Sequence, residues 1–257
     1  MTARSAGRLE GRTVVVTGAA RGMGAAHCEV LAAEGAYVVA TDIDGAVMAT
    51  AQRVGAAGGS ATGVVHDVAS SDSWASLVAD VVAQRGTIDV LVNNAGVLDM
   101  RDAVDIEESA YERVVAVNQR GTFLGLRHVV PVMRRAGGGS IINVSSVYGL
   151  VGTAGYLAYC ASKGAVTLMT KSAAVTHGPD GVRVNSVHPG VVFTEMLEQE
   201  LAGLGPDSLD AFLQATPLRR GARPDEVSGC VLFLASDDSS FVTGAEIVVD
   251  GGLMAGR

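Results

Sequence analysis

The sequence predicts one α/β domain spanning residues 1–257, a doubly wound parallel sheet of about seven strands with helices on both faces. Strand and helix signals alternate with short connections, as in a single α/β unit. The strand candidates are short apolar runs without polar alternation, the pattern of strands covered on both faces. The first of them also feeds through a glycine turn directly into a helix.

That first strand, Thr13–Thr17, is β-branched throughout and meets Gly18, Gly22 and Gly24 before a helix near Gly24–Glu34. Glycines let a backbone approach a pyrophosphate without Cβ obstruction, and the helix N-terminus offers unpaired N–H groups and a positive dipole end. The spacing is Gly-x-x-x-Gly-x-Gly rather than Gly-x-Gly-x-x-Gly, so the general dinucleotide fingerprint is not met literally. Gly35-Ala36 ends the helix, and a second strand, Tyr37–Thr41, runs into Asp42. A carboxylate there can accept both hydroxyls of an adenosine ribose and repels a 2′-phosphate, which favours NAD, with NADP the lesser candidate. Arg21 is the counter-signal, since a guanidinium can pair with that phosphate, although it also reads as a solvated loop residue. The expected architecture is Rossmann-type.

A helix near Gly45–Ala56 is followed by the loop Gly55–Ser60, a strand at Thr62–His66, a helix near Ser73–Arg85 and a strand at Ile88–Val92. Asp89 is expected to steady the Asn93-Asn94 turn by side-chain to backbone bonds. Helices near Glu107–Asn118 and Thr122–Arg135 come next, and Arg134-Arg135 before Gly137-Gly138-Gly139 reads as a dipole-favoured cap and a turn. Strands at Ser140–Ser145, Val182–Val187 and Glu246–Val249 and helices near Ala158–His177 and Pro224–Ala235 complete the set. The remaining segment, Val192–Arg219, mixes apolar and acidic residues without a strand signal and reads as a mobile amphipathic lid.

Tyr159 and Lys163 stand four residues apart in the Ala158–His177 helix, so a phenol and an ammonium leave one face a turn apart. A free phenol titrates near about 10, and a cation fixed beside it favours the phenolate. An ordinary surface Tyr with a nearby Lys is the plainer reading of the pair alone, because perturbed pairs mark sites only statistically.

The ordered motifs Thr17-Gly18-Ala19-Ala20-Arg21-Gly22-Met23-Gly24, Asn93-Asn94-Ala95-Gly96, Asn118, Ser146, Tyr159, Lys163 and His188-Pro189-Gly190 together resemble the short-chain dehydrogenase/reductase family from about Leu9 to Gly252. The resemblance implies Tyr159 as catalytic acid/base, Lys163 lowering its pKa and holding a nicotinamide ribose, Ser146 hydrogen-bonding the reacting oxygen, and Asn118 completing a proton relay. The family places this serine thirteen residues before the tyrosine, which selects Ser146 over Ser145. Tyr148 and Tyr156 lack a lysine four residues on and read as pocket lining. Gly18, Arg21, Gly22, Met23 and Gly24 would cradle the dinucleotide, with Asp42 and Ile43 at the ribose end. Asp67 and Val68 would flank the adenine, and Asn94, Ala95 and Gly96 would pass the adenosine ribose. Pro189, Gly190, Val192 and Thr194 would close over the nicotinamide side.

Within the family, Gly137 to Ser146 and Val182 to Gly190 look most like bacterial NAD-dependent 3α(or 20β)-hydroxysteroid dehydrogenases. The implied activity is hydride transfer between NAD(H) and a secondary alcohol or ketone. The main rival is a 3-oxoacyl-thioester reductase acting on acyl carrier protein, against which Asp42 and the acidic lid both count. A non-catalytic dinucleotide-sensing regulator is the rival of another class, and such proteins lose the tyrosine or lysine that this chain keeps.

Net charge is −8, and no Lys or Arg cluster follows a helix face, which disfavours nucleic acid. No apolar stretch approaches the length of a bilayer span, and Met1 to Leu9 lacks the apolar core of a signal peptide, so a cytoplasmic protein is expected. Cys28, Cys160 and Cys230 are far apart, the five histidines are scattered, and no metal site is expected. His188 is explained by the backbone constraint of Pro189. The Ala158–His177 helix is apolar over more than one stripe, so it is deeply buried or packed on a partner subunit, and the family resemblance implies a homotetramer. The lid's apolar residues, with Val147, Tyr148, Leu150, Val151, Leu157, Leu98 and Met100, either enclose a hydrophobic substrate or seal the lid to the core.

Overall fold

The computed structural model describes residues 7–205 and 207–256, so Met1 to Ala6 of the stretch read for a signal peptide lie outside the described residues. Seven parallel strands form one sheet: β1 Thr13–Thr17, β2 Tyr37–Asp42, β3 Ser60–Val65, β4 Val90–Asn93, β5 Gly139–Val144, β6 Val182–Pro189 and β7 Glu246–Val249. Their spatial order is β3-β2-β1-β4-β5-β6-β7. The order reverses between β1 and β4, and in open α/β sheets a crevice opens there at the carboxyl ends of the strands.

The absence of alternation has a direct cause. Val14 and Val16 enter a core formed with α1 (Gly22–Ala33), α2 (Val47–Ala56) and α9 (Pro224–Ala235), whereas Val15 enters the opposite core with α3 (Ser71–Arg85) and α5 (Gly121–Ala136). Val38 and Ala40 divide from Val39 in the same way, as do Val90 and Val92 from Leu91. Each strand therefore needs apolar residues at successive positions.

Three expectations change. The helix expected through Asn118 is α4 (Glu108–Val114) continued by a π-helical turn, Val115–Arg120, a form concentrated at functional sites. The lid carries two helices, α7 (Glu195–Leu204) and α8 (Ser208–Ala215), and Val192 bridges in parallel to Ala222 at its base. Thr194 caps α7 by accepting from the Leu197 N–H, and Glu195 and Glu198 favour the same dipole end. Asp89 does not steady the Asn93-Asn94 turn: its carboxylate accepts from Thr13 N at 2.7 Å and faces Arg12 at 3.6 Å, securing the start of β1. The Asn94 turn is held instead by the Thr17 hydroxyl, which accepts the Asn94 and Ala95 N–H groups at 3.0 Å each.

At the end of α5, Gly137 takes the left-handed conformation (φ 89°) and Arg134 pairs with Asp180 at 2.9 Å, as a capped helix end requires. Among the described residues no helix is long and apolar enough to cross a membrane.

Candidate active site

The crevice beside β1 begins at a seam between two turns. A Cβ on Gly18 would stand 2.7 Å from Ala95 Cα, and one on Gly24 would stand 2.0 Å from the Gly18 carbonyl oxygen. Asn94 Nδ2 closes the seam by donating to Thr17 O at 2.9 Å and Gly18 O at 3.1 Å. Only glycine fits at 18 and 24, and the N-terminus of α1 is left facing the crevice.

A cleft of about 270 Å³ runs over this seam. Gly18, Arg21, Gly22, Met23 and Gly24 line its floor, Asp42 and Ile43 one end, and Asp67 and Val68 the flank. Asn94, Ala95, Gly96 and Thr194 complete the wall. These positions fit an extended dinucleotide: a floor whose glycines bring the backbone close, a helix N-terminus for the pyrophosphate and a carboxylate at the end of β2. Asp42 already accepts from Ala20 N at 3.0 Å and Asp44 N at 2.9 Å, which fixes its orientation. Arg21 faces Asp44 at 3.6 Å on the surface.

A second cavity of about 100 Å³ adjoins the first, and Met23, Thr194 and Met196 border both. Ser146, Tyr159, Pro189, Gly190 and Val192 line it. Its apolar wall includes Leu98, Val147, Leu197, Phe212 and Leu253, with the Tyr148 and Tyr156 rings tilted against each other at 5.4 Å between centres.

Tyr159 and Lys163 lie on α6 (Leu157–His177), both buried. The Ser146 hydroxyl hydrogen-bonds the Tyr159 oxygen, and Ser146 also accepts from Tyr148 N at 3.1 Å. Ser145 points the other way and donates to the Lys163 carbonyl at 3.0 Å. Burial pushes the Tyr159 phenol up to about 12; the Ser146 bond opposes that rise and the Glu200 carboxylate adds to it. The expected depression by Lys163 is not what dominates. Its ammonium, 5.7 Å from the Tyr159 ring centre, donates to Val144 O at 2.8 Å, and burial lowers it to about 8.

Asn118 sits in the π-helical turn. Its Nδ2 donates to Val97 O at 2.9 Å and Ser162 Oγ at 3.0 Å, and its Oδ1 accepts from Val97 N at 2.8 Å. A Cβ on Gly96 would lie 3.4 Å from both Asn118 Oδ1 and Lys163 Nζ, so these groups form the wall beneath the first cleft.

His188 has more than a backbone role. Its Nδ1 donates to the Ser146 carbonyl at 2.9 Å and its Nε2 pairs with Ser186 Oγ at 2.8 Å, which steadies the serine from behind. The Ser-x-His spacing at 186 and 188 puts both side chains on one strand face, a signal available in the sequence. Glu200, Met196 and Leu253 also line the second cavity, and His66, Val97 and Val117 the first; without a local motif, these positions are set by tertiary packing.

Fold and site together define an oxidoreductase built around a dinucleotide cleft. A family model described as enoyl-(acyl carrier protein) reductase matches residues 18–254. The chain is 47% identical over 250 residues to cyclopentanol dehydrogenase of Comamonas testosteroni, covering 97% of this chain and 99% of that one. It is 45% identical over 251 residues to 3-alpha-(or 20-beta)-hydroxysteroid dehydrogenase of Mycobacterium tuberculosis, covering 97% and 92%. A crystal structure of a short-chain type dehydrogenase/reductase from Mycobacterium marinum superposes with a TM-score of 0.91 at 33% identity, covering 96% of each chain. The chain belongs to the short-chain dehydrogenase/reductase family and is an alcohol/ketone oxidoreductase.

Proposed function

We propose that the chain moves a hydride between NAD(H) and a hydrophobic secondary alcohol or ketone, such as a hydroxysteroid, with Tyr159 as acid/base. The observation that carries this reading is the buried Tyr159–Ser146 pair on the wall of the second cavity, which shares Met23, Thr194 and Met196 with the first, with Lys163 one helical turn away. A bound nicotinamide would supply the two-electron acceptor for the carbinol hydride. Tyr159 takes the hydroxyl proton in oxidation and returns it to the carbonyl oxygen in reduction. Ser146, oriented by Tyr148 N and by His188 behind it, donates to the oxygen that gains anionic character. Lys163 holds the nicotinamide ribose and supplies positive charge beneath it. Asn118 keeps one Oδ1 lone pair for a relay, its other bonds tying the segment after β4 to α6.

Gly18, Arg21, Gly22, Met23 and Gly24 cradle the pyrophosphate, Asp42 and Ile43 meet the adenosine ribose, and Asp67 and Val68 meet the adenine. Asn94, Ala95 and Gly96 pass beside that ribose, while Pro189, Gly190, Val192 and Thr194 close over the nicotinamide. Residues 192–219 act as the lid, through α7 and α8. The pairing of Arg21 with Asp44 supports NAD, because it occupies the cation that would otherwise meet a 2′-phosphate. A spectrophotometric screen of secondary alcohols, hydroxysteroids included, with NAD and NADP side by side tests the whole reading. NAD should be reduced with the higher kcat/KM, and Asp42→Asn should shift the NAD:NADP ratio toward NADP by roughly 10- to 100-fold, the worth of a charge-assisted hydrogen bond plus relieved repulsion. Preference for NADP in the wild type would refute the role given to Asp42.

A homotetramer is supported by apolar side chains left outside on the central helices: Phe123 on α5, and Leu168 (69% exposed) and Val175 (81% exposed) on α6. Sedimentation should show four chains together, and a monomer would reject the assembly. The thiols of Cys28, Cys160 and Cys230 are all free, which suits a reducing, cytoplasmic setting.

A further inference from the structure

We propose that Glu200 is a specificity-determining residue, admitting uncharged hydrophobic secondary alcohols to the second cavity and turning away those that carry a carboxylate. This inference rests on the dehydrogenase reading above and names the substrate class within it. Glu200 is the one carboxylate among the described residues lining that cavity, whose other lining is mainly apolar or aromatic, with the uncharged hydroxyls of Ser145, Ser146 and Thr194. It enters from α7, so the lid itself delivers the charge to the site. The Tyr156 hydroxyl donates to Glu200 Oε1 at 2.6 Å and lies 3.6 Å from Met100 Sδ. Among the described residues no Lys, Arg or His lines the cavity to neutralise it.

Two consequences follow from the placement. A substrate carboxylate would bring a second negative charge into a chamber without a cation, where like charges in a low dielectric repel strongly. A substrate hydroxyl, by contrast, can donate to Oε2, which accepts no hydrogen bond among the described residues. The charge is felt at the reacting oxygen too, since Glu200 helps to hold the Tyr159 phenol up.

The test measures kcat/KM of the full chain with NAD for cyclohexanol, trans-1,4-cyclohexanediol and trans-4-hydroxycyclohexanecarboxylate, in the wild type and in Glu200→Gln. Glutamine keeps an acceptor for the Tyr156 hydroxyl, removes the charge and turns the second oxygen into an amide donor. The wild type should prefer cyclohexanol over the carboxylate by on the order of 100-fold, and Glu200→Gln should narrow that ratio by about tenfold or more. A wild type that uses the carboxylate as well as cyclohexanol, or an unchanged ratio in Glu200→Gln, overturns the role of Glu200 while cyclohexanol oxidation keeps the dehydrogenase reading intact. If none of the probes or the wider alcohol panel is oxidised, that reading fails, and thermal shifts then decide on Glu200 separately. Cyclohexanecarboxylate stabilising the NAD-loaded Glu200→Gln variant but not the wild type supports charge exclusion; equal shifts overturn it.

Discussion

Tyr159→Phe should cut turnover by a factor on the order of 10² or more and leave NAD binding close to that of the wild type. The substitution removes one oxygen and keeps the ring, so the packing of α6 against the β5 end survives. What disappears is the phenol oxygen that pairs with the Ser146 hydroxyl and that, on the proposed reading, exchanges a proton with the substrate oxygen. With the phenol pushed up to about 12 by burial, its protonated form dominates at neutral pH in the ligand-free site, a state ready to protonate a ketone. Steady-state kinetics with a fluorescence titration of NADH separates the two effects. Turnover within a few-fold of the wild type would take Tyr159 out of the role.

Lys163→Met should abolish most activity and yet raise the stability of the ligand-free chain. Burial lowers the Lys163 ammonium from 10.5 to about 8, a difference worth about 3 kcal/mol between the protonation states. The sign follows from proton counting: between about 8 and 10.5 the unfolded chain holds the proton and the folded chain releases it, so stability rises with pH across that window. Below about 8 the full cost of burying the charge is present. Methionine fills similar volume without that cost but leaves Val144 O without its 2.8 Å donor, a loss of about 1 kcal/mol or more. The net expectation is about 1–2 kcal/mol in favour of the variant at pH 7, a rise in Tm of several degrees. Melting curves at pH 7 and pH 10 check both parts. The gap between the two proteins should shrink at the higher pH, and a variant less stable than the wild type at pH 7 would show that the ammonium is not a burden.

The sheet was legible because burial on both faces leaves a mark on every strand: Val14-Val15-Val16 must be apolar three times running when successive side chains enter opposite cores. The candidate site residues form an ordered set along the sequence, and the two cavities gather most of them. Other features depend on partners distant in sequence. Asp89 stands close in sequence to the Asn93-Asn94 turn, but its partner, Thr13, lies on a neighbouring strand 76 residues away. The π-helical turn at Asn118 has no compositional signature, since one extra residue in a turn barely alters helical periodicity. The lid helices left readable traces, a capping Thr194 and two early acids, but the mixture of charges in the segment masked their periodicity. The balance at Tyr159 is a tertiary fact as well, because four-residue spacing puts a cation within reach but does not report how dry the phenol is.

Met23, Thr194 and Met196 form a party wall between the two chambers, and Thr194 also starts the helix that roofs the smaller one. Whichever guest settles against that wall first sets the surface its companion must meet. A ligand that shifted that wall would change the affinity of the other chamber, and reciprocity would then require the leverage on affinity to be equal in both directions.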